Sequence, residues 1–255
     1  MTGDREKDLL AAADLLLDAR RTGTLLEDLP EKLRPVSMEE VSSVQDSIGR
    51  AYGTIGGWKI GAASLEATPM FAPMPRDWIS ESGTILSGAR FRYRGLEAEI
   101  AFCVGQDLPS RATPYTREEV VGAMASCHPA IEVLEAAFED PAKAARYSML
   151  ADLQMHGGFV YGPAFVGWEK VDFNSEGVIL VVDGAVRVER KGSNTSGDLL
   201  RLLPWLANEG ARRTGGLKRG QWITTGSWTG NTLASAGSTV DLEFSTVGSV
   251  NLRFA

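Results

Sequence analysis

The 255 residues carry a formal net charge of −7, with 44% hydrophobic and 23% charged side chains, the balance of an ordinary globular protein. Basic residues are scattered rather than gathered into a stripe, which argues against a nucleic-acid partner, and Arg20-Arg21, Arg212-Arg213 and Lys218-Arg219 read as solvated surface. No apolar run is long enough to cross a bilayer, Met1 to Lys7 is polar, and Asp14 interrupts the apolar stretch that follows. The chain is therefore expected to be soluble, unprocessed and cytoplasmic, with no membrane partner and with Cys103 and Cys127 as reduced thiols.

The first fifty residues read as helical. Leu9, Ala13, Leu16 and Leu17 share one face of a helix over Asp8 to Arg20, and Thr22-Gly23 ends it. After a proline-bounded connector, Ser37 with Glu40 makes a capping-box pattern, and Val41, Val44 and Ile48 continue a second helix to about Ala51. Both read as packing helices. Beyond Tyr52 glycine becomes frequent and apolar runs shorten. Strands are predicted at Gly57–Ile60, Glu97–Val104, Ala130–Leu134, Phe159–Tyr161, Ala164–Trp168, Val178–Val182, Val186–Glu189, Trp222–Thr225, Val240–Ser245 and Ser249–Phe254. Asp183-Gly184 between apolar runs is a hairpin signal, and Val247-Gly248 suggests a second turn. Thr116 with Glu119 caps a helix through Val120 and Met124. Ser196 is a candidate cap for another carrying Leu199, Leu202, Leu203 and Leu206, in which Pro204 implies a kink or a later start. No linker divides the chain. The reading is an α+β fold: a helical extension over 1–54 and a β-rich catalytic unit over 55–255, too irregular for βαβ winding.

Three acids sit inside apolar strand-like runs. Glu97 and Glu99, two apart in Leu96-Glu97-Ala98-Glu99-Ile100-Ala101-Phe102, would point to one side at a spacing of roughly 6.5 Å. A solvated edge would explain them; so would a cation, because buried carboxylates need a positive partner. Glu132, in Pro129-Ala130-Ile131-Glu132-Val133, is either a third oxygen ligand or the partner of a buried base. An oxygen-rich set favours Mg²⁺ or Mn²⁺ over Zn²⁺, and two histidines, His128 and His156, are too few for a histidine-rich zinc site. Lys59, in Gly56-Gly57-Trp58-Lys59-Ile60-Gly61, is an outward strand residue or a proton-handling ammonium, with Gly61 allowing close ligand approach. Thr224-Thr225-Gly226-Ser227-Trp228-Thr229-Gly230 suits an anion and is also a turn composition. No Gly-x-Gly-x-x-Gly, Walker loop or Gly-x-Ser-x-Gly elbow is present, which weakens nucleotide and serine-hydrolase readings.

Taken in order, these motifs, with Ala151-Asp152, Gly157-Gly158-Phe159-Val160, Trp205-Leu206-Ala207-Asn208 and Thr225-Gly226-Ser227, resemble the 2-keto-4-pentenoate hydratase and 4-oxalocrotonate decarboxylase family of the fumarylacetoacetate hydrolase superfamily. The resemblance spans nearly the whole chain. It implies a mixed, rolled β-sheet core and Mg²⁺ or Mn²⁺ on Glu97, Glu99 and Glu132. It makes Lys59 the active-site lysine and puts Thr225 and Ser227 in the substrate pocket. The chain departs from the family in two places. Pro69-Met70-Phe71-Ala72 lacks the acid of the family's Pro-Asp-Phe-Gly-like stretch, and Leu153-Gln154-Met155-His156 replaces small polar residues. Gln154 becomes a candidate substrate contact. His156 is either a replacement acid–base or a histidine packed beside a glycine turn. The implied activity is a metal-dependent lyase acting on a small 2-oxo acid or its enol through a metal-stabilised enolate, a hydratase first. The alternatives are a decarboxylase, a biosynthetic enzyme on a larger enolisable substrate, or a non-catalytic partner subunit. A homo-oligomer, or a complex with a related family enzyme, is the implied assembly.

Overall fold

A computed structural model describes residues 3–88 and 90–255. Helix α1 (Gly3–Thr22) and helix α2 (Met38–Ala51) pack together at the N-terminus. Their buried Leu9, Ala12, Ala13, Leu16, Val44 and Ile48 share one apolar cluster with Ala137, Phe138, Ala151 and Leu153 of the body, so the extension is welded to the segments that follow a central strand. Ser37 caps α2 by accepting from the Glu40 amide, but the Glu40 carboxylate turns to Arg5 and the Val36 amide, leaving the capping box half made.

Strands follow in chain order: β1 (Ile55–Gly61), β2 (Met70–Pro75), β3 (Ile79–Glu81), β4 (Thr84–Leu86), β5 (Gly95–Val104), β6 (Leu108–Pro109), β7 (Met124–Leu134), β8 (His156–Tyr161), β9 (Gly177–Val182), β10 (Ala185–Lys191), β11 (Gly216–Leu217), β12 (Trp222–Thr224), β13 (Thr232–Leu233), β14 (Thr239–Phe244) and β15 (Gly248–Phe254). Short helices α3 (Arg117–Gly122), α4 (Arg146–Ala151), α5 (Leu202–Asn208) and α6 (Ala211–Thr214) lie between them. The larger sheet runs β2-β1-β12-β5-β7-β8-β3, with β13 beside β5. It is mixed: β1–β12 and β3–β8 are parallel, the rest antiparallel. The smaller sheet runs β10-β9-β14-β15-β4. Leu96, Ala98, Ile100, Ile131, Val133 and Ile223 of the large sheet and Leu180, Leu242, Phe244, Leu252 and Phe254 of the small one form the main core between the sheets. The opposite face of the large sheet is left for the acids that alternate with these residues. β1 and β12 approach so closely that a side chain on Gly57 would meet the Trp222 carbonyl at 2.3 Å.

Several expectations needed correction. Ala164–Trp168 is not a strand: Phe165 makes one isolated bridge to Cys127, and the chain then turns through Trp168–Lys170. Met124 belongs to β7, which starts six residues before the expected Ala130, because α3 stops at Gly122. β2 was missed; Pro73 and Pro75 argue against a strand, yet β2 is an edge strand, where a missing amide costs nothing. Asp198, not Ser196, caps the turn before α5, and Pro204 lies in the first turn of α5, where proline is tolerated. Arg20 is not surface: its side chain is 6% exposed and ion-paired to Asp152. Both cysteines are free thiols.

The connection from α4 to β8 is unusual. Leu153, Gln154 and Met155 follow one another at φ +52°, +53° and +63°, a left-handed turn without glycine. Such a conformation costs L-residues about 1–2 kcal/mol each, so something must hold it.

Candidate metal centre

The register of β5 on β7 sets Glu97 opposite Glu132 and Glu99 opposite Ala130. Paired residues point the same way and Glu99 follows Glu97 by two, so all three carboxylates leave one face. One oxygen from each lies within 4.8 Å of the others. On β12, Thr224 pairs with Ala101, and on β1, Lys59 pairs with Thr224, which brings the ammonium to the same face.

Each acid is held differently. Lys59 Nζ lies 2.7 Å from Glu132 Oε1 and donates to the Gln154 carbonyl at 3.0 Å. His156 Nδ1 donates to the same Glu132 oxygen at 2.8 Å; a carboxylate only accepts, so Nδ1 carries the proton. Glu99 Oε2 accepts from the Thr224 hydroxyl and, at 2.8 Å, from the Gly226 amide. Gly226 sits at φ +95°, and its turn is tied down by Asn194, whose amide donates to the Thr225 and Gly226 carbonyls at 2.7 and 3.0 Å.

Charge and burial conflict here. Burial pushes Glu99 well above the usual carboxylate range, and the Glu132 and Glu97 charges push it further. Burial and Glu132 raise Glu97 as well. Burial would also raise Glu132, but Lys59 and His156 outweigh it and hold that carboxyl down to about 2. Burial works against the Lys59 ammonium, and Glu132 and Glu97 override it to raise its pKa. Burial lowers His156 although Glu132 opposes the shift. Ionised together, as metal ligands must be, the three carboxylates would outnumber the one ammonium by two charges, which is why Glu97 and Glu99 hold their protons more tightly without a cation, and Glu132 Oε2 is buried with no hydrogen-bond partner. A donor set of carboxylate oxygens with that excess, and with an orphaned oxygen among them, fits one hard divalent cation.

The arrangement has a stability consequence. A carboxyl whose folded pKa lies above its unfolded value binds its proton more tightly when folded, so metal-free stability falls as pH rises between those values. Glu99 is in that position; Glu132, with a depressed pKa, contributes stability above its unfolded value that is lost toward pH 2. Glu99→Gln should therefore melt several degrees higher than wild type at neutral pH in the absence of metal. Thermal melts in chelator check this, and a lower melting point for Glu99→Gln would contradict it.

Among the expected site residues, the structure brings Lys59, Glu97, Glu99 and Glu132 together. Gly61 ends β1 facing Gly226, and Gln154 offers its carbonyl to Lys59 while its Nε2 stays buried and unpartnered. Ser227 Oγ is likewise buried without a partner, near enough to Glu97 to favour its charged form. One expectation is corrected. The Thr225 hydroxyl donates to the Ile100 carbonyl at 2.7 Å, turned away from the acids, and Thr224 takes the place on their face. His156, a candidate acid–base, is fully buried behind Glu132, its ring stacked on Trp78 at 5.8 Å and its Nδ1 committed to that carboxylate. Thr224, Asn194 and Arg20 were missed. Gln221 to Thr225 are all buried, so no in–out alternation marks which threonine faces the acids.

No protein-family model matches the sequence. A 2-keto-4-pentenoate hydratase of Dechloromonas aromatica (strain RCB) is 25% identical over 256 residues, 96% of each chain. The structure of 4-oxalocrotonate decarboxylase from Pseudomonas putida G7, complexed with magnesium and adipate, superposes with a TM-score of 0.85 at 23% identity, covering 98% of both chains. The chain is a homologue of the 2-keto-4-pentenoate hydratases and 4-oxalocrotonate decarboxylases. A fumarylacetoacetate hydrolase family protein from Yersinia pestis CO92 shares the architecture more distantly, with a TM-score of 0.59 at 18% identity over 78% of this chain and 91% of that one. The α+β architecture with its mixed sheet is thus that of the fumarylacetoacetate hydrolase superfamily. None of the described helices is long and apolar enough to cross a membrane.

Proposed function

We propose that this homologue is a divalent-metal-dependent lyase acting on a small 2-oxo acid or its enol, with Glu97, Glu99 and Glu132 holding one Mg²⁺ or Mn²⁺ and Lys59 as the catalytic residue. The observation that carries the reading is the convergence of three carboxylates within 4.8 Å of one another on one face of the sheet, with Lys59 Nζ beside them. When bound, the cation would act as a Lewis acid toward a 2-oxo carboxylate and offset the carboxylate charges.

The chain's own residues supply the rest. Two of the three Lys59 N–H groups are committed to Glu132 and Gln154, and its side chain is 13% exposed, so the third can reach a bound acid. There it holds positive charge near the carboxylate end and passes a proton at C3, the carbon that gains or loses one when a 2-oxo acid enolises. Gln154 Nε2 and Ser227 Oγ, both buried without partners, are donors suited to the same ligand. His156 orients Glu132. Met70 pairs with Gly61 at the end of β1 and presents an apolar side chain toward the same face. A substrate tail would therefore meet thioether where the resembling family carries an acid.

Hydration or dehydration is the first reading, in keeping with the hydratase homologues. Decarboxylation is the second, favoured by one observation: with Met70 apolar and His156 sealed behind Glu132, Lys59 is the proton-handling side chain left facing the cluster among the described residues. Decarboxylation needs one proton delivered to carbon, whereas water addition also needs a base for water.

A panel of 2-oxo acids with Mg²⁺, followed by mass spectrometry, separates a gain or loss of water from a loss of CO₂. Efficient hydration of 2-hydroxypenta-2,4-dienoate is not expected, because Met70 supplies no acid. Oxalate, whose adjacent oxygens mimic a carboxylate and a 2-oxo group, should bind only with divalent metal present. Metal-independent oxalate binding, or rapid hydration of the small dienol, would count against the account.

A further inference from the structure

The left-handed turn of Leu153, Gln154 and Met155 delivers two contacts to the site, the Gln154 carbonyl to Lys59 and the His156 ring to Glu132. Its own hydrogen bonds are few: the Met155 amide donates to the Asp152 carbonyl, the His156 amide to the Leu153 carbonyl, and the Met155 carbonyl accepts from the Glu135 amide. The restraint comes from the N-terminal helix. Arg20 lies two residues before the end of α1, at the apolar seam where α1 meets Ala151 and Leu153. Its Nε donates to Asp152 Oδ1 at 2.5 Å, its Nη1 to the His156 carbonyl at 2.9 Å, and its Nη2 to the carbonyls of Asp152 and Glu135 at 3.1 and 3.0 Å. Asp152 Oδ2 is fixed in turn by the Ala137 amide at 2.8 Å. One guanidinium therefore grips the first and the last carbonyl of the five-residue stretch that contains the left-handed turn.

We infer that Arg20 is a positioning residue for the candidate metal centre: the guanidinium clamps the left-handed turn, so that Gln154 holds Lys59 and His156 holds Glu132. The helical extension is then part of the site's machinery rather than a packing appendage. Only a planar, multiply donating cation serves. An ammonium at this depth has the charge but cannot span four acceptors in fixed directions.

Arg5 supplies a matched control. It lies on the same helix and also grips several acceptors, pairing with Glu40 and donating to the Lys32 and Arg34 carbonyls, but it ties α1 to the connector and α2 rather than to the turn. The test compares Arg20→Ala, Arg20→Lys and Arg5→Ala by thermal melting, by hydrogen exchange of the Met155 and Glu135 amides in metal-free protein, and by Mn²⁺ calorimetry. The Mn²⁺ readout rests on the function proposed above; the exchange readout does not. Both Arg20 variants should exchange faster at those two amides and bind Mn²⁺ at least about tenfold more weakly, the scale of losing a group that orients a ligand. Arg5→Ala should lose stability with neither change. Guanidinium ion at non-denaturing concentration should restore both readouts in Arg20→Ala. If Arg20→Ala does not fold, Arg20→Lys decides. Wild-type exchange and Mn²⁺ affinity in the folded Arg20 variants would overturn the inference and leave Arg20 a structural tie. Faster exchange in the variants of a protein whose wild type binds no Mn²⁺ would support the clamp and overturn the metal reading instead.

Discussion

Lys59→Met should lose about 10²–10⁴-fold in turnover of whichever 2-oxo acid the panel identifies, the range expected when a positioned proton-transfer group is removed. The substitution keeps apolar bulk on β1 and leaves the Gly57 and Trp58 packing untouched. It deletes the charge that faces Glu132 at 2.7 Å. Without metal the variant should be less stable than wild type, because the buried Glu132 carboxylate then loses its ammonium partner beside two further acids. With metal the deficit should shrink, since the dication replaces the missing charge, and Mn²⁺ affinity should hold or tighten. Steady-state rates, melting points with and without Mn²⁺, and calorimetry read the three effects separately. Near-normal rates would return Lys59 to the role of an ordinary strand residue.

Glu132→Gln should have the opposite stability signature to Glu99→Gln. Glu132 is the one acid of the three whose pKa is pushed down, by Lys59 and His156 against its burial. Removing its charge leaves the Lys59 ammonium buried with no carboxylate at contact distance, a loss of about 3–5 kcal/mol for a broken buried pair. The variant also loses a ligand oxygen at the centre of the cluster, so metal should rescue little of that stability. Denaturant unfolding in chelator and again in Mn²⁺ checks both halves. A Glu132→Gln protein as stable as wild type would mean that Lys59 and Glu132 are not coupled as described.

The acids were legible because a period of two places Glu97 and Glu99 on one face, and Glu132 inside an apolar run could be read as joining them. What could not be read was register. Nothing local says that Glu97 sits opposite Glu132, or that Thr224 rather than Thr225 shares their face. Trp222 to Thr225 is buried on both sides, and the alternation that would reveal its orientation is absent. The same burial hid Arg20. An arginine beside a second arginine near a helix end looks like solvated surface, and only the tertiary contact with Asp152, 132 residues away, draws it inward. His156 admits two readings from the sequence, and its burial agrees with the packed one. A histidine near a candidate site invites an acid–base role, but whether its ring meets the substrate or backs a ligand depends on Trp78, which seals one face of the ring. β2 was hidden because its prolines argue against a strand until its place at the sheet edge is known.

Titration calorimetry of Mn²⁺ into wild type and into Glu97→Gln, Glu99→Gln and Glu132→Gln decides whether the three acids hold the metal. Wild type should bind one ion per chain, and every variant should bind at least about tenfold more weakly, because each glutamine removes one charged oxygen donor from a set of three. Wild-type affinity in all three variants would place the metal elsewhere and leave the carboxylate cluster without the function proposed for it.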